Sequence, residues 1–356
     1  IFELPPGHWM RISQKERKIE SYWDLEFPDK ESFSYVKTLD ESVELFRELF
    51  RDAVKIRLRA DVEVAAYLSG GIDSTVTTAF IHEIEPKVLN TFSIGFEENA
   101  FDESGYQKEA SAYFNTQHTA YSCSNSEIGE NFRNAVYFAE YPVLRTAPVP
   151  MYLLSKKVRE QGIKVVITGE GADEILAGYN IFKEAKIRRF WANCPGSEAR
   201  PQLLKKLYPY LPMMKEAKSS VLKMFFGFGL LQTDDPYYSH MLRWHNTSRI
   251  RTYFNEDFLS GADTDFRKHL SKIAGDRFSS YDDLAQAQSL EFKVFMSNYL
   301  LSSQGDRMAM GNSVEGRYPF LDHRVIEFAA HLPERFKLNA LRSEERRVGK
   351  ECIVKC

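Results

Sequence analysis

The chain has 356 residues, is 43% hydrophobic and 13% aromatic, and carries a formal net charge of −3. That length supports one large or two ordinary domains with substantial cores, and that charge gives no reason to expect a nucleic acid as partner. No apolar run reaches the roughly 18 residues that span a bilayer, so no membrane contact is expected. The opening Ile1-Phe2-Glu3-Leu4-Pro5-Pro6 does not read as a signal peptide, and four scattered cysteines (Cys123, Cys194, Cys352, Cys356) suit a reducing, cytoplasmic location without a structural disulfide.

Residues 1–37 are polar and aromatic around a Pro-Pro-Gly turn, and they predict a β-like linker or the end of a preceding domain. From Asp40 the spacing of Val43, Phe46, Leu49, Phe50, Val54 and Leu58 is helical. A strand over 62–68, a helix over 74–84 and a strand over 88–96 come next. The pattern continues with a helix over 103–114, a short strand over 118–122, helices over 127–138 and 150–160, and a strand over 163–168. This alternation predicts an α/β fold with a doubly wound parallel sheet, whose ligands bind beyond the carboxyl ends of the strands. Past about residue 180 no further strand is predicted. The remainder reads as helical, with an apolar patch at Val221–Leu231 and a helical pattern from Leu284 to Leu301.

Two glycine-rich strings stand at predicted strand ends. The first is Ser69-Gly70-Gly71-Ile72-Asp73-Ser74. Strand, glycine turn and helix start bring free N–H groups and the helix dipole to one point, where an anion can approach closely. Asp73 would repel phosphate unless a divalent cation lies between them, so the loop implies magnesium as well as phosphate. The second string is Thr168-Gly169-Glu170-Gly171-Ala172-Asp173-Glu174. Its acids can be read as first-turn residues stabilised by the helix dipole. Beside the first loop they read better as a site, with Asp73 and Asp173 sharing one magnesium and Glu170 facing the reacting centre. A third stretch, Asp306-Arg307-Met308-Ala309-Met310 through Glu315-Gly316-Arg317-Tyr318-Pro319-Phe320-Leu321-Asp322, fits equally a buried ion-pair network or a substrate-pocket wall.

Together, in this order, the three stretches resemble the synthetase domain of glutamine-dependent asparagine synthetases, which are ATP pyrophosphatases of the PP-loop type. Phe96–Ser104 and the opening Leu4-Pro5-Pro6-Gly7-His8 through Tyr22-Trp23 resemble further parts of that family. The resemblance implies residues 1–39 as the end of a glutaminase domain plus linker, 40–341 as the synthetase domain (40–180 nucleotide-binding, 181–341 mainly helical), and 342–356 as an atypical, artefact-like tail. It implies adenylation of the aspartate side-chain carboxylate by ATP with release of pyrophosphate, then amination to asparagine. By the same resemblance Leu68, Ile94, Thr168 and Gly169 contact the nucleotide, while Ser69, Gly70, Gly71, Ile72, Asp73 and Ser74 hold pyrophosphate. Asp73 and Asp173 ligate magnesium, Glu170 serves the adenylate, and Arg307, Glu315 and Arg317 are weaker substrate-side candidates. The implied partners are aspartate and ammonia or a glutaminase domain, and a homodimer is one assembly the family allows. A β-lactam synthetase-like enzyme on the same scaffold, or a non-catalytic ATP-binding module, are the competing readings.

Two departures from the family pattern stand out. Its glutaminase uses a first-residue cysteine, whereas residue 1 here is Ile and the first cysteine is Cys123. Its C-terminal E-K-x-x-L-R helix has no counterpart after Phe336-Lys337-Leu338-Asn339-Ala340-Leu341, and Lys350 is not in register to replace that helix's lysine.

Overall fold

A computed structural model describes residues 4–29, 38–96, 103–143, 145–208, 212–260, 266–339 and 342–343. The chain opens with a hairpin of β1 (His8–Ile12) and β2 (Arg17–Ser21), paired from His8 opposite Ser21 to Ile12 opposite Arg17. The alternating part comes next: α1 (Leu39–Arg57), β3 (Val64–Tyr67), α2 (Ile72–Ile84), β4 (Asn90–Phe96), α3 (Ser104–Tyr113), β5 (Gln117–Cys123), α4 (Asn125–Ala139), α5 (Pro148–Glu160), β6 (Val165–Ile167) and α6 (Ala172–Leu176). Each strand and helix predicted in this part forms close to its expected bounds. The ends are set by local chemistry. Thr38 accepts a hydrogen bond from the Glu41 amide to start α1, and Ser124 with Glu127 makes a complete capping box on α4.

The strands form one parallel sheet in the order β5-β4-β3-β6-β7, where β7 is Glu315–Arg317. The chain winds outward from β3 through β4 to β5, then restarts on the other side with β6. The switch point of the doubly wound sheet therefore lies between β3 and β6, and that is where such sheets open a crevice for a ligand. The expectation that strands end near residue 180 is corrected by β7. Its three residues, Glu-Gly-Arg, have no apolar alternation to announce them. As an edge strand β7 has a single neighbour and needs no apolar pattern on both faces.

Between the two sheet-forming parts lie α7 (Asn180–Ala192), α8 (Pro212–Lys215), α9 (Ser219–Phe226), α10 (Tyr238–Ser248), α11 (Glu256–Ser260), α12 (Phe266–Ala274) and α13 (Asp283–Leu290). The helical pattern predicted over Leu284–Leu301 is present, but it changes pitch. From Glu291 to Asp306 the backbone is a 16-residue π-helix, a rarer form than the α-helix. It delivers the chain into α14 (Arg307–Met310) and β7. Beyond β7 come α15 (His323–Ala330), α16 (Glu334–Lys337) and a two-residue strand pair, β8 (Leu338–Asn339) with β9 (Arg342–Ser343). Residues 344–356 of the tail lie outside the described residues. Among the described residues no helix is long and apolar enough to cross a membrane.

The main core joins distant segments. Phe50 of α1 is fully buried, with its ring 4.3 Å from Phe320 and 5.2 Å from Phe80. Leu25 and Phe27, from the segment before α1, are buried in the same cluster. Trp23 Nε1 donates to Glu327 at 2.8 Å and Lys293 pairs with Asp24 at 2.7 Å, fastening that segment to α15 and the π-helix.

The third sequence stretch ends in an ion cluster around the buried Asp322. Asp322 accepts from Arg57 Nη1 at 3.0 Å and from Arg324 Nε at 2.9 Å, while Arg324 also reaches Asp52 at 2.6 Å. Burial alone would raise the Asp322 carboxyl, but the hydrogen bonds from Arg324 and Arg57 outweigh it and hold it at about 2. Asp322 also caps α15 through the Arg324 amide. Its folded pKa lies below the ordinary carboxylate value, so its contribution to stability is complete above about pH 4 and is lost as pH falls toward 2. Asp322→Ala should destabilise the protein by on the order of 3 kcal/mol in urea unfolding near neutral pH. Asp322→Asn should flatten the acid limb of stability against pH, and an unchanged limb would refute this role.

Candidate active site

The two glycine-rich strings meet at the switch point. After β3, Leu68 is fully buried and its amide donates to Phe92 O at 2.8 Å, which extends the pairing to the last residue before the loop. Gly70 has φ +85°, and a Cβ there would stand 2.8 Å from both the Gln107 amide nitrogen and Tyr106 Cβ, so α3 closes on the loop. Gly71 is the N-cap of α2. The loop is laced by hydroxyls. Ser74 Oγ lies 3.0 Å from Ser69 Oγ, accepts from the Ser69 amide at 3.2 Å and donates to Gly71 O at 3.1 Å. Thr75 Oγ1 donates to the same carbonyl at 2.8 Å. Asp73 is the second residue of α2, in the turn whose N–H groups have no helical partner.

After β6, Thr168 donates its amide to Arg317 O at 2.9 Å, and its hydroxyl accepts from the Glu170 amide at 3.2 Å. Gly169 is the contact between the strings. A Cβ on it would lie 2.9 Å from Asp73 C and Ser74 N and 3.0 Å from Asp73 Cβ. Gly171 has φ +100° and abuts Leu321. Asp173, the second residue of α6, comes one turn beyond, so the loop that carries it rests on the first turn of α2. Ile94 on β4, in register with Tyr121, lies two residues past Phe92, the partner of Tyr67 at the end of β3.

Burial governs the acids. It pushes the Glu170 carboxyl upward. It also raises Glu174, to about 7, with the charges of Glu170 and Glu291 adding to the rise and the hydrogen bond from Tyr179 OH at 2.9 Å opposing it. Beneath α6, Gln288 Nε2 donates to Glu174 O at 2.7 Å and Ile175 O at 2.9 Å. Gln288 Oε1 in turn accepts from Lys337 Nζ at 2.9 Å, and Lys337 is buried so completely that its amine is pulled down to about 8.

The weaker substrate-side residues have other tasks in the fold. Arg307 donates to Ala139 O at 2.9 Å and Glu140 Oε2 at 2.8 Å, holding the end of α4. Arg317 pairs with Glu315 at 2.7 Å and donates to Arg57 O at 2.6 Å and Arg59 O at 2.8 Å, closing the end of α1. Each of the three thus has a partner within the protein. Most of the Phe96–Ser104 resemblance, residues 97–102, lies outside the described residues. Among those described, no group of three or more His, Cys, Asp or Glu is placed to hold a metal.

Sequence reading passed over Tyr67, Asp306, Tyr318 and Lys337 as site neighbours. Tyr67 ends an apolar strand and Lys337 sits in a short basic helix, so neither carries a local signal. Tyr318 follows the edge strand, whose register gives its position, and Asp306 is placed by the hydrogen bond it accepts from Tyr318.

Fold and site together define a parallel α/β protein with two glycine-rich loops meeting at its switch point, which bring helix-start amides, hydroxyls and acids together. A family model described as asparagine synthase matches residues 45–354, and the chain belongs to that family. The amidase chyE of Penicillium rubens is 30% identical over an alignment taking in 97% of this chain and 54% of that protein. The amidase chry2 of Gibberella zeae is 27% identical, with 95% and 53% covered. The glutamine-hydrolyzing asparagine synthetase 1 of Bacillus subtilis is 29% identical, with 86% and 46% covered. The chain thus spans about half the length of these relatives.

Gly169→Ala tests the contact between the strings. The methyl would press on backbone atoms of Asp73 and Ser74 that have no rotamer to yield, so the variant should lose about 1–3 kcal/mol of stability or shift the α2 start. Thermal unfolding together with ATP titration would show it. A variant as stable as the parent, with unchanged ATP affinity, would refute the contact.

Proposed function

We propose that this chain carries the ATP-dependent, amide-forming part of an asparagine synthetase. It would activate the aspartate side-chain carboxylate as a β-aspartyl adenylate and pass it to ammonia, drawn from glutamine by another part of the full protein or taken up free. The observation that carries this reading is the packing of Gly169 on Asp73 and Ser74. It brings a phosphate cradle and an acid-bearing loop to one crevice, and adenylation needs both.

The chain's own groups suit the first step. Amides at the start of α2 and the hydroxyls of Ser69, Ser74 and Thr75 can hold the pyrophosphate that leaves when the carboxylate oxygen attacks the α-phosphorus. They are fixed beforehand by their mutual hydrogen bonds, so little reorganisation accompanies the reaction. Asp73 and Asp173 fit magnesium, which is commonly held by one or two carboxylates with phosphate oxygens completing the shell. When bound, the ion neutralises charge on the departing pyrophosphate. In the second step, nitrogen attacks the acyl carbon and sheds a proton, and Glu170, whose burial strengthens its hold on a proton, is the base at hand.

The two fungal relatives named amidases match nearly the whole of this chain, and that favours a second reading, in which the same activation serves a carboxylate other than aspartate. The crevice groups that address phosphate are common to both readings.

Pyrophosphate release from ATP and magnesium, measured with aspartate against other carboxylates, should rise on adding the true acceptor. Asp73→Asn should cut that release by about 100-fold or more while thermal unfolding stays close to the parent's. Full activity in a folded Asp73→Asn protein would reject the proposed role. ATP binding with no carboxylate-dependent release would favour a binding module.

A further inference from the structure

The acid loop is clamped from two sides. On one side Gly169 stops against the first turn of α2. On the other, the single turn of α6 rests on Gln288, a buried side chain of α13. Asp173 lies between these contacts, four residues past Gly169 and one before Glu174, where the hold of Gln288 begins. A helix of five residues has few hydrogen bonds of its own, so its last carbonyls need partners from elsewhere. Asp173 O accepts from the Gly178 amide at 2.9 Å. Glu174 O and Ile175 O both accept from one group, Gln288 Nε2, at 2.7 and 2.9 Å.

The Gln288 amide has one workable orientation. Its oxygen accepts from Lys337 Nζ at 2.9 Å. Turned over, it would set oxygen against two carbonyls and NH2 against an ammonium. Lys337 is held in turn. It is buried, donates to Ala329 O at 3.1 Å and stands 5.8 Å from the centre of the Phe27 ring. The wall beside the amide is apolar. Leu25, Phe27, Phe292, Ile326 and Ala330 line a space of about 10 Å³ next to Gln288 and Glu174, room for about one water. The two carbonyls therefore depend on the amide rather than on bulk solvent.

We propose that Gln288, oriented by Lys337, is a positioning residue that fixes α6 and so holds Asp173 in place for magnesium bound with ATP. This rests on the magnesium reading of Asp73 and Asp173. Magnesium tolerates little departure from octahedral geometry, so a carboxylate that serves it must be held against the repulsion of neighbouring acids. One turn of helix cannot do that alone, and the amide behind it supplies the missing restraint.

The experiment measures ATP binding at equilibrium to the full-length protein, with and without magnesium, beside thermal unfolding of the same samples. Gln288→Met keeps the length of the side chain and removes its donors. It should lower the gain in ATP affinity that magnesium brings by about tenfold, with affinity in the absence of magnesium within about twofold of the parent's. Lys337→Met leaves the amide but nothing to fix which way it faces, and should lower the same gain by about threefold. It exchanges a buried amine for an apolar chain, a change that is often neutral for folding, so it serves where Gln288→Met does not fold. A merely structural role would lower the unfolding temperature and leave the magnesium-dependent gain untouched. An unchanged gain in a folded variant, or an equal loss of affinity with and without magnesium, overturns the proposal. A parent whose ATP affinity does not respond to magnesium overturns the magnesium reading and this inference with it. A parent that responds beside variants that respond equally overturns the inference alone.

Discussion

The pairing of β3 with β6 is the constraint on which the site depends. The two strands are about 100 residues apart in the chain, yet the register from Val64–Val165 to Ala66–Ile167 sets their carboxyl ends level. The loops that leave the two strands must then share a narrow space. Only a residue without a side chain can stand where Gly169 stands, against the first turn of α2. The glycine does more than permit a turn. It sets how closely the acid-bearing loop approaches the phosphate-type loop, and so whether Asp73 and Asp173 can serve one ligand.

That closeness concentrates carboxylates, and the surroundings show how the fold tolerates them. Glu174 is buried and Glu170 half-buried, and desolvation shifts both toward the neutral form, which lowers mutual repulsion. The helix that carries Asp173 and Glu174 is only five residues long, too short to be stable by itself. Its carbonyls are tied from below by Gln288, whose own oxygen takes a hydrogen bond from buried Lys337. A cation thus lies behind the acid loop at one remove, through an amide that cannot neutralise the acids by proton transfer. Removing the amide would leave a buried ammonium with one fewer acceptor as well as two freed carbonyls, which is a costly combination in a dry interior.

Much of this was legible in the sequence, for physical reasons that differ element by element. β3 and β6 are apolar because they are covered on both faces, and the glycine strings at their ends show where the backbone must be approached closely. The edge strand Glu315–Arg317 was illegible because it needs only one partner and no apolar code. The internal partners of Arg307 and Arg317 were not legible, because an arginine beside a motif carries no mark of what it pairs with. Those partners are backbone carbonyls and carboxylates, some more than 250 residues away in the chain. Of the third stretch, readable either as an ion network or as a pocket wall, Asp322 belongs to a network under α1, and Tyr318 donates to Asp306.

The division within that third stretch has a mechanical consequence. Phe320 and Asp322 anchor it to α1, one by ring packing and the other by paired guanidinium groups, only two and four residues beyond Tyr318. On the other side, Tyr318 donates to Asp306, the last residue of the π-helix. Tyr318 is thus tied on both sides, to α1 and the core through the residues just beyond it and to the end of the π-helix through its hydroxyl, so the edge strand between them is fixed by long-range partners and not by its own three residues.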